Sequence, residues 1–157
     1  MNIIKKLLIF LLIIFIIAQF YGPEKNETSP ATFDTFLADT KPPKDVKYVL
    51  VETCFDCHSD HTRYPWYNKI TPVNYWLADH IKEGKKHFNI SQWDDYSTKK
   101  KDHRFKDLIE MVEQKDMPLE SYTYMHSEAK LSDEQITAVV KWAKEVRFQY
   151  SLEPEAQ

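Results

Sequence analysis

The chain has almost no glycine. Only Gly22 and Gly84 occur in 157 residues, far apart. Phosphate-cradling loops of the G-x-G-x-x-G or P-loop kind need several glycines close together, so they are excluded. Collagen-like and Gly-linker architectures go with them. Cysteine is equally sparse, at 2. That rules out a disulfide-dense scaffold and any zinc site made from four cysteines of one chain. Excess positive charge is missing as well. Two of the 21 basic residues, Lys5 and Lys6, precede Gly22, so 19 basic residues face 24 acidic ones in the rest. A mildly acidic body is a poor electrostatic partner for nucleic acid. No internal repeat and no convincing alternating strand pattern is present. What remains is 43% hydrophobic and 14% aromatic, with 8 prolines, a globular composition. The length suits one domain with appendages.

The first twenty residues read as an address. Lys5 and Lys6 precede an apolar run of 12 residues from Leu7 to Ala18. A positive flank before an apolar stretch is the layout of a secretory signal or anchor. The run is short for a spanning helix, which needs about 20 apolar residues. Ile3 and Ile4 extend it behind lysines that can snorkel, and Tyr21 can anchor at an interface. No small-residue cleavage site follows, since Phe20 stands where one belongs. Residues 1–22 are therefore expected to form an uncleaved N-terminal anchor rather than a cleaved signal peptide. The lysines keep the N-terminus in the cytoplasm by the positive-inside rule, which places everything after Tyr21 outside the cytoplasmic membrane.

Residues 23–43 read as a Pro-rich linker, with a weak apolar patch at Phe33, Phe36 and Leu37 that docks on the domain or starts a short helix. Residues 44–150 read as a helical domain and 151–157 as a frayed tail. Val46, Val49, Leu50 and Thr53 recur at helical spacing and lead into Cys54. Pro72 opens a second helix with Val73, Trp76, Leu77, His80 and Ile81 on one face and Gly84 as a stop. A short turn is expected around Trp93. The charge run Lys99 to Arg104 reads as a solvated helix start. Phe105, Leu108, Ile109 and Val112 form a third stripe, closed by Met117-Pro118. Ser132 and Gln135 form a capping-box pattern ahead of Ile136, Val139, Val140, Ala143 and Val146.

Both cysteines lie in Cys54-Phe55-Asp56-Cys57-His58, the C-x-x-C-H attachment pattern of c-type haem. Two thiols at this spacing can each add to one of the two vinyl groups on one macrocycle edge. The following His58 is then held beneath the iron as proximal ligand. Three other uses compete. A thioredoxin-type redox pair wants a β-α-β context. A zinc site would join Cys54 and Cys57 to two of His58, His61 and His80. A structural disulfide across two residues closes a strained loop. Met117, fixed by Pro118, is the expected sixth ligand, with His126, His80 and Met125 as rivals. His80 otherwise reads as a core histidine, and His61, His87 and His103 as solvent-exposed. Arg63 and Lys69 are candidate partners for haem propionates. Asn26-Glu-Thr28 and Asn89-Ile-Ser91 match a glycosylation sequon that recurs by chance.

Cys54-Phe-Asp-Cys-His-Ser59, Tyr64-Pro-Trp-Tyr67, Pro72-Val-Asn-Tyr-Trp-Leu77, Asp79-His-Ile81 with Gly84, and Asn89-Ile-Ser-Gln-Trp93 together resemble the haem-binding domain family of bacterial cytochrome c-like proteins. Met117-Pro118, Tyr122, His126, Ala129-Lys-Leu131 and the Trp142 helix fit the same family, and Gln19-Phe-Tyr-Gly-Pro23 looks like its membrane-tethered members. The resemblance implies an all-α, cytochrome c-like domain around one covalent haem c, carried by Cys54, Cys57 and His58. C-x-x-C-H with Met117-Pro118 on a helical domain that has no other catalytic constellation, behind an N-terminal anchor, leads to the expectation of a monohaem electron carrier on the bacterial inner membrane, facing the periplasm, that serves redox partner proteins and does no bond chemistry itself. The alternatives are a peroxidase-like or gas-binding domain with an open or labile sixth site, and a non-haem zinc or interaction module.

Overall fold

A computed structural model of the chain describes residues 2–27 and 33–152. Pro30, Thr28 of the first sequon, and tail residues 153–157 lie outside these residues. Among the described residues the fold is all-helical; the only β feature is one antiparallel bridge between Glu27 and His61.

Helix α1 spans Ile3–Ala18 and buries none of its residues. Among the described residues no helix is long and apolar enough to cross a membrane. The chain does not trail away after α1. Gln19 Nε2 donates to the Thr71 carbonyl at 3.1 Å, and the Thr71 N–H donates to Gln19 Oε1 at 2.9 Å. Thr71 Oγ1 donates to the Tyr21 carbonyl at 3.1 Å. The helix end is thus bolted to the loop before α5 (Val73–His87).

The described part of segment 23–43 both docks and folds. Asn26 donates to the Ser59 carbonyl and Thr62 Oγ1, and Lys85 Nζ donates to Asn26 Oδ1 at 2.6 Å. Helix α2 (Asp34–Thr40) then places Phe36, fully buried, in the main core. Its Asp39 carboxylate accepts from Trp93 Nε1, Lys101 Nζ and Tyr150 Oη. Burial works against that charge, but the three donors prevail and hold its pKa below the usual carboxylate value.

The main core lies between α3 (Lys44–Val49), α6 (Thr98–Glu113) and α8 (Asp133–Leu152), with the 3-10 segment Ile90–Asp95 closing it. Phe36, Trp93, Phe105 and Trp142 interlock edge to face, with Phe105 and Trp142 centroids 5.2 Å apart. The predicted stripes are recovered here: Val46, Val49, Leu50 and Thr53 are all buried, as are Phe105, Ile109 and Val112. The capping box also forms. Ser132 N–H donates to Gln135 Oε1, and Gln135 N–H to Ser132 Oγ.

Four expectations are corrected. Gly84 does not stop α5, which continues to His87; its role is a close approach described below. On α5 the buried face is Asn74, Leu77 and Ile81, which leaves Trp76 exposed and His80 partly so, because the helix packs on one narrow side only. The third stripe ends at Glu113, before Met117-Pro118, where Lys115 takes a left-handed conformation. The charge run is a helix start but is pinned rather than solvated. Lys101 reaches Asp39, Lys100 lies 3.9 Å from the Tyr96 ring centroid, and Arg147 Nε donates to Asp102 at 2.7 Å.

Candidate haem site

The segment from Lys44 to His58 is continuously helical but not uniform. After α3 the backbone widens into a π-helical turn, Leu50–Cys54, and tightens again in the single α-turn α4, Phe55–His58. π-turns concentrate at functional positions because they cost regular hydrogen bonding. This one delivers Cys54 and Cys57 one turn apart on a segment whose other face, Phe55, is buried.

Both cysteines are free thiols, partly accessible to solvent. Burial pushes the Cys54 thiol up to about 12, helped by the neighbouring Cys57 and Asp56. Burial and Asp56 push Cys57 up to about 11. Both are therefore neutral S–H groups at pH 7 in the free chain. Among the described residues no group of three or more His, Cys, Asp and Glu converges on a common point. The zinc and disulfide readings find no geometry here, and the all-helical setting lacks the strands a thioredoxin-type site uses.

His58 is set for ligation. Its Nδ1 lies 2.9 Å from the Phe88 carbonyl oxygen. A carbonyl cannot donate, so Nδ1 carries the proton and the Nε2 lone pair is left available. Burial holds the imidazole pKa below its ordinary value, against the opposing pull of the Phe88 and Gly84 backbone. The ring is thus neutral at physiological pH, the state a metal requires. Helix α5 crosses the motif at Gly84. A Cβ there would lie 2.7 Å from the Cys57 carbonyl oxygen, so only glycine permits this approach.

Asp56, inside the motif, is buried and holds the turn from within. It accepts from the Arg63 backbone N–H at 3.0 Å, from Arg63 Nε at 3.0 Å and Nη2 at 3.1 Å, and from Tyr122 Oη at 3.3 Å. Arg63 also reaches Glu52 at 2.8 Å and the Val51 carbonyl. Its hydrogen bond with Asp56 raises the guanidinium pKa further. Arg63 is therefore a clamp across the motif, not the free propionate partner the sequence suggested. Sequence reasoning missed Asp56 because any residue type can fill an x position of C-x-x-C-H. A buried acid there pairs with a base seven positions on, a spacing with no periodic signature.

The remaining candidates are dispersed. His126, on the turn after α7 (Glu120–Met125), accepts the Tyr67 hydroxyl on Nε2 at 2.8 Å and donates from Nδ1 to Glu128 at 3.2 Å. Its ring stacks on Tyr122 at 4.5 Å. Both nitrogens are thus occupied, which disfavours it as a ligand. His80 donates Nδ1–H to the Trp76 carbonyl within its own helix. Met125 is exposed, and Met117 is half-buried, its N–H donating to the Met111 carbonyl. His87 and His103 are exposed, while His61 is half-buried in the bridge to Glu27. Asn89 is buried and bonded to Asp60 and Ser91, so its sequon is a structural accident.

Two neutral thiols one turn apart, an imidazole with a free Nε2, and a glycine that lets a second helix close on the motif form a donor set suited to haem. The family model for haem-binding domains matches residues 13–145, well over half of the chain. The chain belongs to the haem-binding domain family. Searches among curated proteins and among solved structures gave no match. The family match begins inside α1 and runs into α8, so it takes in the Gln19 bolt as well as the motif. Haem is accordingly the group this domain binds.

Proposed function

We propose that this haem-binding protein is a monohaem c-type cytochrome that passes single electrons and is tethered to the bacterial inner membrane by α1, with its domain on the periplasmic side. The observation that carries the reading is the pairing of His58 Nδ1 with the Phe88 carbonyl beside two free thiols one turn apart. Bound haem supplies a one-electron iron couple. The chain's own residues do the rest. Cys54 and Cys57 would hold the group as thioethers, each Sγ–H adding across a vinyl C=C with sulfur to one carbon and hydrogen to the other, so no oxidant would be consumed. Nε2 of His58 would be one iron ligand. Met117 would be the other through its thioether, a ligand type that raises the potential. Asp56 and Arg63 fix the turn between the two thiols, and Phe88 keeps the imidazole in the ligating tautomer.

The tether reading rests on α1. Its apolar side chains from Ile3 to Ile17 are exposed, and none of its residues is buried. The acidic body suits basic redox partners through electrostatic steering.

The test is the intact mass and visible spectrum of the full chain, made in a host with c-type haem maturation. The expected result is a mass increase of one haem that resists extraction into acidified organic solvent, with a low-spin spectrum. Met117→Ala should convert the iron to a high-spin form that binds carbon monoxide. Haem that extracts freely would overturn the covalent attachment while leaving haem binding intact. An unmodified, colourless product would overturn the reading altogether.

A further inference from the structure

The aromatic side chains around the end of α1 are on the wrong side of the protein surface for a freely tethered domain. Phe20 and Tyr21 follow α1 and are 83% and 67% exposed. Trp66 lies five residues before the Thr71 bolt and is 69% exposed; Tyr75 and Trp76, four and five residues after it, are each 47% exposed. Lys69, on the same 3-10 segment as Trp66, is also exposed. The three hydrogen bonds among Gln19, Tyr21 and Thr71 tie the short stretch between Trp66 and Trp76 to the helix end at Thr71. A hypothetical Cβ on Gly22 would lie 3.3 Å from Asn74 Nδ2, so the start of α5 is in contact with the chain leaving α1.

Helix length sharpens the point. At 1.5 Å per residue the 16 residues of α1 reach about 24 Å, short of the roughly 30 Å of a hydrocarbon core. A short apolar helix bolted at its end draws its domain down to the headgroups. Tryptophan and tyrosine favour that interfacial layer, and a lysine beside them can reach anionic headgroups.

We propose that Trp66, Tyr75 and Trp76, with Phe20, Tyr21 and Lys69, form a lipid-facing belt that seats the domain on the bilayer surface in one fixed orientation. The occupant of this face is the membrane into which α1 inserts, so the inference rests on the tether reading above. The domain does not swing on a linker. The surfaces remote from the belt, and the redox exchange they support, face the aqueous compartment.

The test is hydroxyl-radical footprinting of the full-length holoprotein in vesicles of phosphatidylcholine and phosphatidylglycerol, read residue by residue by mass spectrometry. Tyr48, Tyr124 and Phe148, at 65%, 86% and 65% exposure, are internal references in the same molecule. Rates are normalised to the denatured chain. Trp66, Tyr75 and Trp76 should oxidise at least about threefold more slowly than these references. Equal rates, with Phe10 and Phe15 of α1 still protected, would overturn the belt and leave the tether standing. Oxidation of Phe10 and Phe15 as well would overturn both. Protection that grows with protein density at fixed lipid would assign the face to a second copy and overturn the proposal. The double variant Trp66→Ser, Trp76→Ser changes only exposed positions. It should restore Tyr75 to the reactivity of Tyr48, and unchanged protection there would also count against the belt.

Discussion

The side of the molecule built on α6 and α8 and the side that carries Cys54, Cys57 and His58 are stabilised by different forces. The first interlocks Phe36, Trp93, Phe105 and Trp142, all but fully buried, with few polar contacts: Trp142 Nε1 on the Thr40 carbonyl and the donors around Asp39. The second has a small apolar cluster, Tyr67, Leu77 and Ile81, and relies on polar side chains. Arg63 and Tyr122 converge on Asp56, and Lys85 and Asn89 on Asp60. Apolar packing is non-directional and stabilises the chain with or without a ligand. Polar networks fix geometry more than they stabilise, because each bond replaces one made to water. The lesson is a division of labour: one side keeps the chain folded, and the other holds Cys54, Cys57 and His58 in one arrangement. Haem, with its large apolar surface, would complete the weaker side.

The largest effect expected is on the aromatic side. Phe105→Ala should cost about 3–5 kcal/mol, measured by denaturant unfolding, and should remove haem incorporation along with the fold. An unfolded motif beside an intact α6–α8 pair in hydrogen exchange would break the comparison in an informative way. Next is Arg63→Ala, which strands the buried Asp56 carboxylate and should cost about 2–4 kcal/mol. Here the expected pattern is reversed: native-like helicity with haem content reduced. Asp56→Asn in the same background should recover part of the loss, since the stranded charge is gone. Gly84→Ala places a methyl group 2.7 Å from the Cys57 carbonyl oxygen and should cost about 1–3 kcal/mol through a forced shift of α5. Its visible spectrum should change more than its melting temperature.

The haem-free chain gives a titration test of the same contrast. His58 has a lowered pKa, so the unfolded chain binds a proton below 6.5 that the folded chain refuses, and stability is lost as pH falls through that region. Cys54 and Cys57 have raised values, so the unfolded thiols ionise near 9.0 while the folded ones hold their protons to about 12 and about 11. Stability is therefore lost again as pH rises above 9.0. The expected profile is a plateau between the two limbs. The part of the alkaline limb between pH 9.0 and 10.0 should weaken in Cys54→Ala, Cys57→Ala and in covalently loaded protein, whose thioethers do not titrate, while Tyr67 and Tyr122 keep a loss above 10.0. A haem-free profile flat from pH 5 to 10 would refute this. The smallest effect is Ser132→Ala at the cap of α8, about 1 kcal/mol in thermal unfolding with no spectral change.

Much of the aromatic side could be read from sequence, because its stripes repeat at the helical period and its last helix opens with a capping box. The helical run into Cys54 was equally legible, and the haem-binding family could be recognised from the motif and its neighbours. The supports around the motif were not. Asp39 reaches Trp93 and Tyr150 across 54 and 111 residues, and Asn26 reaches Thr62 across 36. Hydrogen bonds of that kind leave no period. Trp76 and His80 were misplaced for a related reason. Aromatic residues at helical spacing signal a core only where a second element packs against them, and α5 buries a narrower face. Gly84 was read as a terminator because glycine often ends a helix, whereas here it serves close packing.

The π-turn at Leu50–Cys54 has a consequence for rotational phase. A regular helix advances about 100° per residue, and a π-turn spends roughly one residue more on the same revolution. That extra residue sets the angle between the stripe of Val46, Val49 and Leu50, which faces the aromatic core, and the direction in which Cys54, Cys57 and His58 are presented. Deleting one residue within the turn would leave an uninterrupted, better-bonded helix. Winding the same residues as a regular helix, with no deletion, would instead turn the motif by about 100° relative to the core and carry His58 away from the Phe88 carbonyl. The chain keeps the less regular helix because its irregularity is what aims the motif.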